Sequence, residues 1–198
     1  MFAWIKKWKE RKMLKKLRSL AQVRINNQVP EEQILLEIKL LNQLGQFYLK
    51  NKKLKIYPYA HQMYENALRI AAQIGDENAQ LTLGKELLNQ AKSRVVWQSE
   101  EVIANKDNQT KIDDLFFQAH VFLQEAAKKS VEAQRMLGLC SIHGWGEPID
   151  RKKGFSLIVE SINREDSWDK LPEIFSKIGL NKPEFLKELI KFRTQEAG

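Results

Sequence analysis

At 198 residues with a single cysteine, 43% hydrophobic side chains and a net charge of +8, the chain can bury one sizeable core but cannot build a disulfide framework. Few β-branched alternations, five prolines and nine glycines point to an all-α domain, and no apolar run approaches the roughly 18 residues of a membrane span or the uncharged core of a secretory signal. The excess charge is local: residues 1–24 hold nine Lys or Arg and one acid, Glu10, while residues 25–198 hold 24 bases and 24 acids.

The first element is therefore a basic amphipathic arm, residues 1–29. At helical spacing Met13, Leu14, Leu17, Leu20 and Ala21 share one face, whereas Phe2, Trp4, Ile5 and Trp8 fall on an adjacent arc, so two separate contacts are expected. Lys12, Lys16 and the other bases interleave with both sets, a composition suited to an acidic groove of a protein partner or an anionic membrane surface. Nucleic acid is the least favoured occupant. The arm's bland alternative is an end cap with solvated bases. Because residues 25–198 hold all the repeats and a balanced charge, that body is expected to fold without residues 1–24.

A helix follows from about Glu31 to Leu49, with Pro30 at its entrance and Ile34, Ile38, Leu41, Gly45 and Tyr48 on one face. The run Asn51–Lys55 breaks it. A second helix starts near Pro58 and runs to Gly75; Asp76 then caps a third through Leu81, Leu83, Leu87 and Leu88. Between about 93 and 114 the rhythm fails. Val95, Val96 and Trp97 are apolar, but Ser99–Thr110 is polar, with Lys106–Gln109 reading as a loop or frayed end, an insertion that offers Trp97 to a partner. The pattern resumes at Phe116, Phe117, Ala119, Phe122, Leu123 and Ala126, then a hairpin over residues 131–162 turns at Gly144-Trp145-Gly146, with Asp150 as the next cap. Residues 164–198 hold two terminal helices, Asp169–Ile178 and Pro183–Arg193, the last with Phe185, Leu186, Leu189 and Ile190 turned inward.

Three Leu-Gly pairs recur, at Gly45, Gly84 and Gly138, spaced by 39 and then 54 residues. One helical hairpin explains the first interval, and the same unit with an insert explains the second. Around the later pairs stand Ala71-Ala72, Ala79 and Gln80, and Ala126-Ala127, Ala133 and Gln134; small residues at such offsets let helix backbones approach closely. With Gly144, Gly146 and Asp150 this pattern resembles the Sel1-like repeats, relatives of the tetratricopeptide repeat. Departures are Ser130 for a Gly, Glu147 for an apolar residue and Gly154 for Ala. The resemblance implies a short right-handed α-solenoid, residues 30–163, between the basic arm and C-terminal capping helices, with Gln80 and Gln134 beside the groove that binds partners.

Chemistry is sparse. Cys140 and His143 are three residues apart, with no second ligand pair for zinc and no orienting third group for nucleophilic catalysis, while His61 and His120 are isolated in sequence. Gly144-x-Gly146 lacks the Lys-Ser/Thr ending and preceding strand of a phosphate loop. No catalytic residue, cofactor, metal or small-molecule substrate is therefore expected. The leading expectation is a non-catalytic adaptor in a multi-subunit, bacterial, secretion- or envelope-type assembly, cytoplasmic or at the inner face of a membrane. A peripheral membrane or nucleic-acid docking factor is the alternative.

Overall fold

The computed structural model describes residues 2–26, 29–100, 106–180 and 182–196, and their regular structure is helical. They form α1 (Phe2–Asn26), α2 (Glu31–Asn51), α3 (Ala60–Gln73), α4 (Glu77–Ser99), α5 (Lys106–Ala127), α6 (Val131–His143), α7 (Arg151–Glu165), a 3-10 turn (Trp168–Lys170), α8 (Leu171–Ile178) and α9 (Pro183–Glu196). Successive helix pairs are in contact, the arrangement of a generic helical-repeat protein. No described helix is long and apolar enough to cross a membrane. The chain divides into two compact units, residues 1–80 and 81–198.

In the first unit α2 and α3 form a hairpin because each buries one stripe: Leu40, Leu41, Leu44 and Tyr48 against Ala60, Ala67, Leu68 and Ala71. The connecting turn is not an open loop. Its Tyr57 is buried, edge-on to Phe47 at 5.4 Å and to Tyr48 at 6.0 Å between centroids. After α3, Asp76 accepts the Ala79 N–H at 2.6 Å, the expected cap, and also takes a bond from Asn42 Nδ2 at 3.0 Å. Helix α1 packs on α2 in the same unit and does not project from it.

The second unit holds α4 from Leu81 onward and α5 to α9. Ser130 caps α6 through Ala133 N–H, Asp150 caps α7 through Lys153 N–H, and Gly144 ends α6 in the left-handed conformation. Helices α6 and α7 cross at Gly138 and Gly154, where a Cβ on either would lie 2.6–2.7 Å from the other's carbonyl oxygen. Gly146 is required twice over. Its φ is +83°, and a Cβ there would stand 2.5 Å from Phe116 O of α5. The terminal helices cover the α6–α7 hairpin: Ile174, Phe175, Leu180 and Leu189 join Leu139, Ile142, Phe155, Ile158 and Ile162 in one cluster. Leu186 and Ile190, expected inside, are exposed, so α9 presents a narrower stripe than its sequence suggested.

The polar stretch expected to be a loop or a frayed helix end is mostly helical among its described residues. α4 runs to Ser99 and Lys106–Gln109 is the first turn of α5; residues 101–105 lie outside the described part. Polar side chains replace the missing apolar ones: Arg94 Nη1 donates to Asn108 Oδ1 at 3.0 Å, Asn108 Nδ2 to Gln98 Oε1 at 2.9 Å and Gln98 Nε2 to Gln109 Oε1 at 3.2 Å. Asn108 is buried, so these bonds are needed to offset its desolvation.

Candidate docking surface

The seating of α1 reverses the usual economy of an amphipathic helix. In its first three turns the inward groups are polar: Lys6 Nζ donates to Asn51 Oδ1 at 2.7 Å, Lys7 sits 4.5 Å over the Tyr57 ring, and buried Glu10 accepts the Tyr48 hydroxyl at 2.8 Å. Leu17 is buried two turns beyond Glu10, with Met13, Leu14, Leu20 and Ala21 half-buried around it. Near the helix end Arg24 bonds both carboxylate oxygens of Glu37, through Nε at 2.9 Å and Nη2 at 3.4 Å. The single acid of the arm is thus spent internally, as are Lys6, Lys7 and Arg24.

What remains outside is apolar and basic. Trp4 is 74% exposed, Trp8 52%, and Ile5 lies beside them; Lys9, Arg11, Lys12, Lys15, Lys16 and Arg18 all face solvent. The expected apolar arc is therefore on the surface, with Lys12 Nζ 5.3 Å from the Trp8 ring. The side chain of Phe2 lies outside the described part.

Between α1 and α2 this surface opens into a groove of about 940 Å³. Its apolar wall is Trp8, Met13, Leu35, Ile38 and Phe47; Lys9, Lys12, Lys39 and Lys50 stand around it with Asn42, Gln43 and Gln46, and no carboxylate lines it. Leu35, 56% exposed on α2, lies at the far end of this groove from Trp8, because Lys6 and Glu10 on either side of Trp8 bond Asn51 and Tyr48 whereas Arg24 bonds Glu37. The sequence pointed to Trp8 and Lys12 but not to Leu35 or Lys39. Their only signal was an apolar residue and a lysine off the core stripe of α2.

The remaining expected contact residues are dispersed. Trp97 is exposed near the end of α4. Gln80 Nε2 donates to Ala72 O at 3.1 Å, which ties α4 to α3. Gln134 is buried and accepts from Arg164 Nη1 at 2.7 Å, so its side chain serves the fold. Ala79 and Ala133 are buried, a Cβ on Gly84 would reach Leu123 Cγ at 2.7 Å, and one on Gly45 would meet Tyr64 only at 3.4 Å.

The nucleophile-bearing stretch is built into packing. Burial pushes the Cys140 thiol up to about 12, so it stays protonated at neutral pH. His143 stacks on Trp145 at 4.5 Å and is pulled below its ordinary value by burial, then by Lys92 and Arg151. Glu147, the departure from the repeat pattern, accepts Ser141 Oγ and Lys153 Nζ, each at 2.5 Å, and latches the glycine turn. Among the described residues no three His, Cys, Asp or Glu converge as metal ligands would. Compared with models of known protein families and with curated proteins, the chain matches none.

Proposed function

We propose that the protein is a non-catalytic adaptor of Sel1-like helical hairpins that binds an acidic amphipathic helix of a protein partner between α1 and α2. The carrying observation is the groove itself: an apolar wall open to solvent, four lysines around it and no acid. An amphipathic helix laid apolar face down would cover Trp8, Leu35 and Phe47 while its flanking carboxylates met Lys9, Lys12, Lys39 and Lys50. The family reading is supported by matched local structure. Asp76 and Ser130 each cap the residue three ahead, and five residues beyond Ala79 and Ala133 a glycine presses on the next helix. The right-handed stacking of such repeats belongs to this same proposal, as does a place in a multi-subunit bacterial assembly.

One observation favours a second reading. Trp4 and Ile5 are exposed but do not line the groove, and an outward Trp-Ile tip beside a basic stripe suits an anionic membrane interface. The two readings separate in one experiment. The full chain is titrated with a synthetic helix bearing Leu at i, i+3, i+4 and i+7 with flanking Glu, with its Lys-flanked counterpart, and with phosphatidylglycerol vesicles. The adaptor reading expects saturable binding of the acidic peptide only, lost in Leu35→Asp. Vesicle binding lost in Trp4→Ser, with the acidic peptide ignored, would replace it by the membrane reading.

A further inference from the structure

The second unit carries a cavity that the adaptor reading does not use. Two adjoining lobes, of about 520 and 390 Å³, share Arg135, Glu165, Ile174 and Lys177. The smaller lobe is reached by Arg135 from α6, Ser167 and Lys170 from the segment after α7, and Glu173 and Lys177 from α8. The larger adds Lys85, Lys92 and Glu132 on one side and apolar Met136, Leu139 and Ile178 on the other.

We infer that this cavity is a binding site for a phosphate monoester. Charge is the first argument: five cations, Lys85, Lys92, Arg135, Lys170 and Lys177, face three carboxylates, Glu132, Glu165 and Glu173, which leaves two positive charges for a group that carries close to two negative ones at neutral pH. Partnering is the second. Lys85 is held by Glu132 at 2.5 Å and Arg135 by Glu165 and the Ser161 hydroxyl, but among the described residues Lys92, Lys170 and Lys177 make no ion pair. Lys92 instead rests 4.1 Å over the Trp145 ring. The third argument is independent of charge. Ser167 lines the smaller lobe at 5% exposure, and its hydroxyl oxygen is enclosed without a hydrogen-bond partner, so that a turn about its Cα–Cβ bond is what brings it to a ligand in the lobe. An unpaired buried hydroxyl costs stability unless something occupies it, and a phosphate oxygen accepts both from a hydroxyl and from ammonium groups. The smaller lobe then takes the phosphate, and Met136, Leu139 and Ile178 take the organic body of the ester.

The phosphate could belong to a small soluble ester or to a phosphorylated side chain. Titration of the full chain by phosphorus NMR and calorimetry, with inorganic phosphate, glycerol 2-phosphate and a phosphoserine heptapeptide in turn, tells them apart. Saturable binding of inorganic phosphate is expected, with one of the two esters at least tenfold tighter. Lys170→Gln with Lys177→Gln should weaken it by roughly tenfold or more, and Ser167→Ala by roughly three- to tenfold. Ser167→Ala should leave the melting temperature of the free protein unchanged or higher, because it removes an unpaired polar atom, whereas a structural hydroxyl would lower it. Lys187→Gln, outside the cavity, should change nothing. Absence of saturable binding by all three probes, an equal loss in Lys187→Gln, or a destabilised Ser167→Ala that binds phosphate normally would each overturn the site.

Discussion

The two units of this chain join helices by opposite means. In the first, α1 meets α2 through buried polar bonds, Glu10 to Tyr48, Arg24 to Glu37 and Lys6 to Asn51, while tryptophans face solvent. In the second, α6 meets α7 by backbone approach at Gly138 and Gly154 and an apolar cluster continues into α8 and α9. Glycine contacts depend on shape and tolerate no added volume. Charged contacts depend on partners and leave the helix's apolar groups exposed, which is why the candidate docking surface lies in the first unit.

The largest effect should come from filling the glycine crossing. In Gly154→Leu the Cβ alone would lie 2.5 Å from Ile142 Cγ1 and 2.6 Å from Gly138 O, and the backbone atom cannot move aside. A loss of about 3 kcal/mol or more is expected. Gly45→Ala, whose Cβ would touch Tyr64 at 3.4 Å, should instead gain about 0.5–1 kcal/mol from helix propensity. Urea unfolding followed by peptide-resolved hydrogen exchange reads both. Equal responses at the two glycines would erase the contrast between the units.

Next is the charged contact. Glu37 is 3% exposed and Arg24 is its partner, so Arg24→Met strands a buried carboxylate at a cost of about 3 kcal/mol. The double variant Arg24→Met, Glu37→Leu should recover most of that loss, since the penalty lies in the unpaired charge and not in the missing bridge. A double variant as unstable as the single would mean that the pair itself contributes the stability. The bonds at Glu10, Glu37 and Asn51 also bear on the expectation that residues 25–198 fold alone, because removing α1 leaves Glu37, Tyr48 and Asn51 without the partners that α1 supplies.

These contacts explain what could be read from sequence. Small residues are legible because only they fit a close crossing, as Gly84 does against Leu123 and Gly138 against Gly154. Caps at Asp76 and Asp150 were legible for a similarly local reason: a short acceptor precedes a helical stripe. Polarity misled. Glu10, Glu37 and Asn108 are buried because distant residues, Tyr48, Arg24 and Arg94, bond them, and sequence spacing carries no record of such pairing. The same blindness hid half of the groove, since Leu35 and Lys39 matter only once α1 is laid beside them.

Acid and base should separate the units again. In the first, burial and then the bond to Glu10 raise Tyr48 above the ordinary tyrosine range, and burial followed by the charge of Glu10 raises Tyr57. Groups raised in the folded state contribute fully below the unfolded value of about 10 and lose that contribution as pH climbs through the folded one. In the second, burial alone would raise Glu147, but bonds from Lys153 and Ser141 and the nearby His120 outweigh it and lower the carboxyl; burial, Lys92 and Arg151 lower His143. Lowered groups contribute above their unfolded values and lose it as pH falls through the folded ones, so this unit should loosen below about pH 6.5 and further through the carboxylate range. Pulse proteolysis across the pH range should release peptides of residues 81–198 first in acid, while in alkali both units should loosen, because Cys140 of the second unit is raised as Tyr48 and Tyr57 of the first are. Tyr48→Phe should flatten the alkaline limb of residues 1–80 alone and His143→Gln the acid limb of residues 81–198 alone, and a variant that flattened both units' limbs together would refute separate sensitivities.

The smallest effect on stability should come from the most conspicuous side chains. Trp4 and Trp8 are exposed, their helix is anchored by Lys6, Glu10 and Leu17, and Lys12 Nζ lies 5.3 Å from the Trp8 ring. Replacing both with Ser should therefore shift unfolding by no more than about 0.5 kcal/mol, the range of surface substitutions, and remove a patch prone to association. Binding should respond in the opposite proportion, because an indole that becomes buried against a partner forfeits far more area than one lysine among six outward bases forfeits charge. If the double variant instead unfolds more readily, the tryptophans belong to the core of the first unit. Its helices would then be joined by apolar burial after all, as those of the second are.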